Sequence, residues 1–523
     1  MKYLYLLLLL TATNYLVAQT GYEEAWSVNI APDAFTTSMA CGGIENNAEC
    51  AKLRTFPNGD LLAAVSVWPT LGSTNVDLQL SRYDVDGHLI WSTQVGSDDG
   101  RAEYLADLVI GADGGVYALL RVRAGVEKDI AVVHLTGAGE VVYHTPYQYD
   151  NFPTMPTSLV TDATGNVYFT GCYNTTSNDE DIVLTKVDPA GNVVWGTSYD
   201  SPTSGFHIGR YLELDDQGVR LTSVFHNYSA GWQQTDNARY TATGALLDQT
   251  LLTDEVANAF VAEADGARYL AYPGTGQVVK HDAAGAVVWT YDVPQVANAG
   301  TDVKALTLGT DGSLYLLLSR VDFQAAYPNS VRLLVQRLST TGALTASYAT
   351  PIERSIEGIR MSVTADGYVG VVGTEQLLSN TGTSFSSWGR VLDTNLEPVG
   401  VFGETTDRAG GSMVLDDQQR WFLLTQHDDG SPVLRRLNGG FTNANRAETD
   451  AFGLTVAPNP ARTTVALNTA QPVANVQLFD ANGRQVLQQR ARTLDVAALA
   501  TGVYTVSVES VSGDVVRRRL VVQ

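Results

Sequence analysis

The 523-residue sequence has few cysteines and histidines, and none of the short motifs that mark the common catalytic centres. Its three cysteines, Cys41, Cys50 and Cys172, include no CxxC pair, which argues against a structural zinc site. The seven histidines are scattered singly without an HExxH pattern, so His-ligated metal chemistry has little support. The absence of a GxSxG elbow, a Walker loop and a dinucleotide fingerprint removes the familiar signatures of three enzyme classes.

Positive charge is also scarce. The chain carries 33 Lys and Arg against 56 Asp and Glu, a formal net charge of −23, and only six of the cations are lysine. A surface this acidic repels phosphate groups, so we expect neither nucleic acid nor an anionic membrane as a partner. The hydrophobic content of 44% is ordinary for a folded protein, and at this length we expect more than one folded unit.

The only long apolar run stands at the N-terminus. Lys2 precedes an apolar stretch at 3–10, and Ala18 offers a small residue at a cleavage point before Gln19. This order predicts a signal peptide at 1–18. The alternative, a membrane anchor, is disfavoured because the run is too short to span a bilayer and no later segment is transmembrane in length. Export permits disulfides, so Cys41 and Cys50 could pair, leaving Cys172 as a small core residue.

A turn-plus-strand motif recurs about every fifty residues. Its clear copies lie at 113–117, 164–168, 265–269 and 311–315, and weaker copies begin at 58, 217, 366 and 417. A second motif follows each copy: a strand, a glycine turn, then a strand that bears an aromatic, as at 83–91, 187–195 and 281–289. Asp-Gly and Ala-Gly supply the positive φ that tight hairpins need, so each repeat is predicted to form four short strands.

Four-stranded units at this spacing are typical of β-propeller blades. The predicted fold is therefore all-β: an eight-bladed propeller at 22–439, with a seven-bladed ring as the alternative. In the third repeat we expect strands at 158–161, 166–170, 181–187 and 192–198. The eighth repeat lacks its aromatic-bearing fourth strand, and residues 24–28 around Trp26 are predicted to supply it and close the ring. The recurring Trp and Tyr are expected to pack between blades, the alternative being a row of ligand-stacking aromatics.

These repeats resemble the propeller repeats of Bacteroidota surface proteins. Their Asp-x-x-Gly-x-x-x-Trp spacing, as at 84–91 and 188–195, is also similar to the tryptophan-docking repeats of quinoprotein propellers. The turn resembles the Asp-box of sialidases more loosely. The resemblance implies an architecture over residues 22–439 and implies no activity.

A polar stretch at 440–452 is predicted to be a linker, and residues 453–523 resemble the type A sorting domain of the type IX secretion system. The motif residues that carry this resemblance are Pro458, Asn459, Pro460, Gly483, Gly502 and Tyr504. The resemblance implies a small Ig-like β-sandwich that is recognised by the type IX machinery and cleaved by a sortase-like peptidase. The ending Val521-Val522-Gln523 departs from the common Lys-bearing terminus. The alternative is an ordinary Ig-like adhesion domain.

The long loops of the second to fourth repeats carry aromatics, and such loops on a rigid scaffold are a sensible binding face. The candidate ligand-binding residues are Tyr147, Tyr149, Phe206, His207, Tyr228 and Trp232. The alternative is that several fold inward as loop plugs. Asp residues in the turns could ligate calcium, although turn geometry alone accounts for their positions. No other cofactor or metal is expected.

The sequence thus predicts an exported protein, secreted or on the outer-membrane surface, that binds an extracellular glycan or protein, or acts as a scaffold, without catalysis. The alternative is a propeller enzyme that acts on polysaccharides or uses a quinone, and glycosidic chemistry would need two carboxylates facing one pocket. A third reading is a purely architectural role in a surface layer.

Overall fold

The computed structural model describes residues 20–21, 23–32, 35–36, 51–68, 75–96, 100–124, 127–147, 154–176, 179–199, 205–227, 231–323, 331–350, 355–379, 382–405, 408–416, 420–426, 431–438, 455–457, 461–469, 472–479, 485–500, 502–510 and 515–522. Within these ranges the regular elements are all β-strands, and no helix has the length and apolar character needed to cross a bilayer. The chain divides into two compact units, Met1–Gly440 and Phe441–Gln523. The signal peptide predicted at 1–18, the linker predicted at 440–452 and the pair Cys41 and Cys50 lie outside the described residues.

The larger unit contains strands β1 to β34. In chain order they are β1 (Thr20–Gly21), β2 (Glu23–Asn29), β3 (Phe35–Thr36), β4 (Ala51–Thr55), β5 (Leu61–Trp68), β6 (Asp77–Tyr83), β7 (Leu89–Val95), β8 (Ala102–Ile110), β9 (Val116–Ala124), β10 (Glu127–Leu135), β11 (Val141–Tyr147), β12 (Thr154–Thr161), β13 (Val167–Thr176), β14 (Asp179–Val187), β15 (Val193–Tyr199), β16 (Phe206–Asp215), β17 (Gly218–Asn227), β18 (Trp232–Tyr240), β19 (Leu246–Thr253), β20 (Ala259–Ala262), β21 (Arg268–Tyr272), β22 (Gln277–His281), β23 (Val287–Asp292), β24 (Ala299–Leu308), β25 (Leu314–Asp322), β26 (Val331–Leu338), β27 (Leu344–Ala349), β28 (Ser355–Val363), β29 (Val369–Ser379), β30 (Gly382–Leu392), β31 (Pro398–Thr405), β32 (Arg408–Leu415), β33 (Trp421–Gln426) and β34 (Pro432–Asn438).

These strands form sheets of four antiparallel strands that follow one another along the chain, to which β3 adds on β5 and β1 adds in parallel on β31. We name them the first sheet (β4–β7), second (β8–β11), third (β12–β15), fourth (β16–β19), fifth (β20–β23), sixth (β24–β27), seventh (β28–β31) and eighth (β32–β34 with β2). A single parallel bridge, Glu180 with Phe206, joins the third sheet to the fourth. In the eighth sheet the outer strand is β2, where Trp26 is paired with Arg436 of β34. The N-terminal segment therefore completes a sheet whose other strands lie some 400 residues later.

The turns between first and second strands, and between third and fourth strands, lie at one end of the sheets. At Gly139 and Gly191, for example, a glycine with positive φ follows three residues after a carbonyl that accepts its N–H. The connections between second and third strands, and between successive sheets, lie at the opposite end, which we call the long-loop end. The strands predicted for the third repeat are confirmed, and all four extend further toward that end because pairing continues beyond the apolar core.

The first strands of neighbouring sheets contact one another around the unit. Such contacts join β4 to β8, β8 to β12, β12 to β16, and so on from β20 through β24 and β28 to β32, which contacts β4 again. Between β16 and β20 the link is a stacked pair of rings, Tyr211 on Phe260, with centroids 4.5 Å apart. Side chains of one sheet also satisfy backbone donors of the next: Ser412 Oγ accepts from Leu53 N at 2.8 Å, which joins the eighth sheet to the first.

In several sheets an aromatic of the outer strand lies over the turn glycine of the following sheet. Trp91 covers Gly139, Trp195 covers Gly244 and Trp289 covers Gly342, so closely that a Cβ built on each glycine would lie 2.5 to 2.7 Å from the indole. Each indole Nε1 donates to the carbonyl two residues before that glycine, at 2.9 to 3.0 Å. Burial of an aromatic and one hydrogen bond therefore stabilise each interface, and the expected packing of these aromatics between sheets is confirmed.

The interface between the fourth and fifth sheets lacks this tryptophan, because Asp248 occupies the corresponding position of β19. Arg220 of β17 replaces it: its Nη1 donates to Ala283 O at 3.2 Å, the carbonyl two residues before Gly285, and to Gly266 O at 3.1 Å. Arg220 is almost fully buried, and Arg268 of the fifth sheet is fully buried. This interface therefore depends on buried guanidinium groups where those of Trp91, Trp195 and Trp289 depend on indoles.

The smaller unit has two sheets. Its strands are β35 (Thr455–Ala457), β36 (Thr464–Asn468), β37 (Val473–Phe479), β38 (Gln485–Gln489), β39 (Thr493–Asp495), β40 (Gly502–Ser510) and β41 (Val515–Val522). They pair in the orders β35-β36-β39 and β38-β37-β40-β41. Alternate residues of both sheets, such as Val465, Leu478 and Val506, form one buried core, which is the arrangement of a β-sandwich.

Gly139 and Gly114 allow a matched test of the stacking contact. Both have positive φ, 85° and 77°, but a Cβ at Gly139 would overlap Trp91 whereas a Cβ at Gly114 would meet nothing within 4 Å. Gly114→Ala should cost about 1 kcal/mol for the strained φ alone, and Gly139→Ala at least about 2 kcal/mol because the indole must also move. Urea unfolding measures both, and equal losses would contradict a stabilising role for the stack.

Candidate functional site

Two of the predicted ligand-binding residues are buried. Tyr147 lies at the end of β11 with 7% of its surface exposed, and its hydroxyl donates to Gly191 O of the third sheet at 3.0 Å. It occupies the core between the second and third sheets, which differs from the expected position on an open loop. His207 of β16 is fully buried, with its ring centroid 5.1 Å from that of Phe225. Neither side chain is placed to stack on a ligand.

The other predicted aromatics are only partly described. Phe206 begins β16 and is half-buried, and Trp232 begins β18, where its backbone is paired with Asn227. Tyr149 and Tyr228 lie outside the described residues. Phe206 and Trp232 both stand at the long-loop end of the fourth sheet, so the structure keeps these two positions near one another at the expected end.

Among the predicted sorting residues, Gly502 and Tyr504 lie in β40. Tyr504 is buried in the core of the smaller unit and its hydroxyl donates to Ala500 O at 2.7 Å. Residues Pro458, Asn459, Pro460 and Gly483 lie outside the described residues. The described part of the motif is thus structural: Tyr504 fixes the turn that precedes its own strand.

The turn carboxylates considered for calcium accept hydrogen bonds from their own turns. Asp188 Oδ1 accepts from the backbone N–H of Ala190 and Asn192 at 2.9 and 2.8 Å, and the bond from Asn192 contributes most to lowering the pKa of Asp188. In the described ranges no three metal-ligating side chains come together. Cys172 is fully buried, and burial raises the pKa of its thiol well above the usual value, so it is a core residue.

The fifth sheet is shorter than its neighbours, and this leaves a recess at the long-loop end. Strands β21 and β25 both begin two residues after their turn glycines, yet β21 has five residues and β25 has nine. At about 3.3 Å per residue, the sixth sheet extends roughly 13 Å beyond the fifth. We define the recess as the space beyond Tyr272 and Gln277 that the extended part of the sixth sheet borders.

Exposed apolar side chains lie at the same end of the sixth sheet, and Val321 and Phe323 are on its other face, which packs toward the seventh sheet. Phe323, directly after β25, is 72% exposed, the highest value among the large hydrophobic residues of the described chain. Val321 is 37% exposed and Val296, in the connection between the fifth and sixth sheets, is 46% exposed. The N–H of Phe323 donates to Asn298 O at 2.9 Å, which holds this connection against the end of β25. An open aromatic on a fixed backbone is a credible contact for a ligand.

The face of the sixth sheet that borders the recess carries two arginines. Leu314, Leu316 and Leu318 pack against the fifth sheet, so the next residue on that face of β25 is Arg320. On β26, Leu334 packs on the same side, and Arg332 is the corresponding extension. Arg320 and Arg332 are direct cross-strand partners. Neither forms an ion pair with any residue of the described chain.

Sequence reasoning missed Phe323, Arg320 and Arg332. Phe323 follows a strand of the sixth repeat, whereas the predicted ligand-binding residues came from the aromatic-rich loops of the second to fourth repeats. The arginines are twelve residues apart, and only the strand register makes them neighbours. The sequence did carry one signal for the short fifth sheet. The turn motifs of the fifth and sixth repeats are closer together than those of the other repeats, which implies shorter strands between them.

The comparisons with known proteins identify the smaller unit. Residues 455–523 match the family described as "Secretion system C-terminal sorting domain". No curated protein sequence matches the chain.

Among solved structures, a streptogramin B lyase has 13% identity and a TM-score of 0.37, covering 79% of this chain and 98% of its own. Virginiamycin B lyase from Staphylococcus aureus has 11% identity and a TM-score of 0.38, covering 80% and 99%. The WD40 domain of SCAP from fission yeast has 10% identity and a TM-score of 0.42, covering 80% and 98%. We base no functional conclusion on likenesses at these scores. The sorting-domain match, by contrast, marks the chain as a protein exported through the type IX secretion system to the cell surface or the extracellular space.

Proposed function

We propose that this chain is an exported, non-enzymatic binding or scaffold protein: a closed eight-bladed β-propeller at 22–439, a linker at 440–452 and a sorting domain at 453–523. The named sheets would be the blades. The successive contacts among first strands, which return from β32 to β4, support a closed ring. The pairing of β2 with β34 supports closure around Trp26, whose Nε1 also donates to Val85 O of the first sheet at 3.2 Å.

The single observation that carries the binding function is the recess above the short fifth sheet, at the same end of the larger unit as the most exposed aromatic of the described chain. A propeller offers its connecting loops as a contact surface on a rigid frame. Here one short blade lowers that surface locally, and Phe323 lies at the same end on the far face of the adjoining sixth blade. A slender ligand such as a glycan chain fits a depression one sheet wide. The ligand would be an extracellular glycan, with a protein as the other candidate.

Phe323→Ala tests the binding face. Purified full-length chain would be applied to an array of extracellular glycans, and the substitution should weaken the strongest interaction by about tenfold, since an exposed aromatic contact is worth about 1 kcal/mol or more. Val288→Ala is the matched control, because Val288 is 55% exposed but lies at the tight-turn end. Binding by neither a glycan nor a captured protein would refute the proposed function, and equal losses in both variants would refute the site.

Export should depend on both termini. We propose that residues 1–18 are a signal peptide and that Pro458, Asn459, Pro460, Gly483, Gly502 and Tyr504 present the sorting domain to the type IX machinery and its sortase-like peptidase. A chain truncated after Asn438 should accumulate in the periplasm with its propeller folded, because the described core of the larger unit lies before that residue. Cell fractionation with protease protection measures the distribution. Tyr504→Phe, which loses only the bond to Ala500, is the mild control.

One observation favours the enzymatic alternative, a propeller that acts on polysaccharides. Burial raises the pKa of the Glu213 carboxyl in β16 to about 7, with a smaller contribution from Asp215. A carboxyl in that range is suited to general acid–base work. A glycosidase would also need a second carboxylate across one pocket, and Asp215 lies two residues along the same strand.

Glu213→Gln separates the structural and catalytic roles of this carboxyl. The unfolded chain loses the Glu213 proton near pH 4.5 and the folded chain near 7, so this group lowers the stability as pH rises between these values. The variant should therefore exceed the native chain by roughly 2 kcal/mol at pH 8 and match it at pH 4, measured by urea unfolding. Glu140→Gln, an exposed turn residue, is the charge-matched control. Polysaccharide cleavage by the native chain that the variant lacks would establish the enzyme.

A further inference from the structure

The pairing of Arg320 with Arg332 lowers the stability of the sheet unless an anionic ligand is bound. They stand directly opposite each other on neighbouring antiparallel strands, where like charges destabilise the sheet. Burial, and then the neighbouring Arg332 guanidinium, lower the pKa of Arg320. In a chain with 56 acidic residues, carboxylates to neutralise such a pair are abundant. The pair is nevertheless left uncompensated by the described residues.

Each guanidinium is held through Nε, and that of Arg332 also through Nη2, which leaves the other terminal nitrogens unused. Arg320 Nε donates to Thr301 Oγ1 at 3.2 Å, and Arg332 donates to Thr350 O through Nε at 3.1 Å and Nη2 at 2.7 Å. The remaining terminal nitrogens have no acceptor among the described residues. Thr301, Arg320 and Arg332 thus form one cross-strand row with its donors fixed in direction.

This row faces the recess. It lies two residues beyond Leu318, the last core residue of β25 on that side, and beyond the end of β21 at Tyr272. Asp322 is on the same face, one step further along β25. Because the fifth sheet stops short, an incoming group can approach the guanidinium groups from the side where a full-length blade would have covered them.

We infer that Arg320 and Arg332 bind a carboxylate of an acidic saccharide in the recess above the fifth sheet. This inference rests on the proposed binding function and names its ligand class. Planar guanidinium groups match carboxylates through paired hydrogen bonds. The net charge of −23 repels a densely charged polyanion, so a chain with one carboxylate per sugar ring fits better than a highly sulfated one.

A saccharide fits this site better than an acidic peptide. Extended peptides usually add to an open strand edge through main-chain hydrogen bonds. At this row β25 is paired on both sides, with β24 and with β26, so it offers no open edge. Recognition must then come from side chains alone: the two guanidinium groups and the Thr301 hydroxyl. A sugar acid presents a carboxylate and hydroxyls to such a set.

The test is isothermal titration of the full chain with oligosaccharides of galacturonate, guluronate and glucuronate, together with methyl-esterified oligogalacturonate and a hexaglutamate peptide. We expect one of the uronate series to bind, its affinity to fall as salt is raised, and the methyl ester to bind at least tenfold more weakly. Arg320→Gln and Arg332→Gln should each weaken uronate binding by tenfold or more. Arg320→Lys should retain part of it, since the charge stays but the paired geometry is lost.

Arg462→Gln is the matched control, because it removes an exposed arginine of the smaller unit. Thermal melts of all variants establish that the fold is intact. Uronate binding that survives both recess substitutions, or tighter binding of hexaglutamate than of every uronate, would overturn the inference. Binding of neutral glycans with no uronate bound would also overturn it while leaving the proposed function standing. Failure of the native chain to bind any glycan or protein would remove both.

Discussion

The fit of an aromatic ring over a glycine turn is the contact on which the larger unit depends. A four-stranded sheet alone cannot bury both of its faces, so each sheet needs a neighbour at a fixed distance. The indole of one outer strand rests on the next sheet's turn and donates a hydrogen bond to it, as Trp195 does with Gly244 and Ala242. Only glycine leaves room for the ring and also accepts the positive φ. The turn glycine thus determines both the hairpin conformation and the distance between neighbouring sheets.

At one interface that contact is missing, and a charged arginine side chain takes the place of the aromatic ring. Between the fourth and fifth sheets Arg220 reaches the carbonyl that elsewhere receives an indole. The cost is visible nearby: Arg268 Nε and Glu213 Oε2 are buried without a hydrogen-bond partner among the described residues. Such groups reduce stability, and they commonly mark regions where function has taken precedence over packing. The recess lies directly beside this interface, on the other side of the fifth sheet.

The local pattern made much of the fold predictable. Turn glycines such as Gly139 and Gly191, and the aromatics a few residues after them, have local causes that can be read along the chain. The candidate site was harder to predict from the sequence. Tyr147 looked like a loop aromatic, but β11 extends far enough to carry it into the core, and strand ends depend on tertiary pairing. The adjacency of Arg320 and Arg332 follows from the register of β25 with β26, and no local signal encodes a register.

The position of β34 has a mechanical consequence. This last strand of the larger unit is hydrogen-bonded on one edge to β33 and on the other to β2. A force applied through the segment that follows Asn438 therefore acts along two antiparallel ladders at once. Their hydrogen bonds must break together in shear, whereas a strand at the margin of a sheet would peel away one bond at a time. If the protein is held at its C-terminal side while it binds a ligand elsewhere, the tension therefore acts on a strand that is paired on both edges.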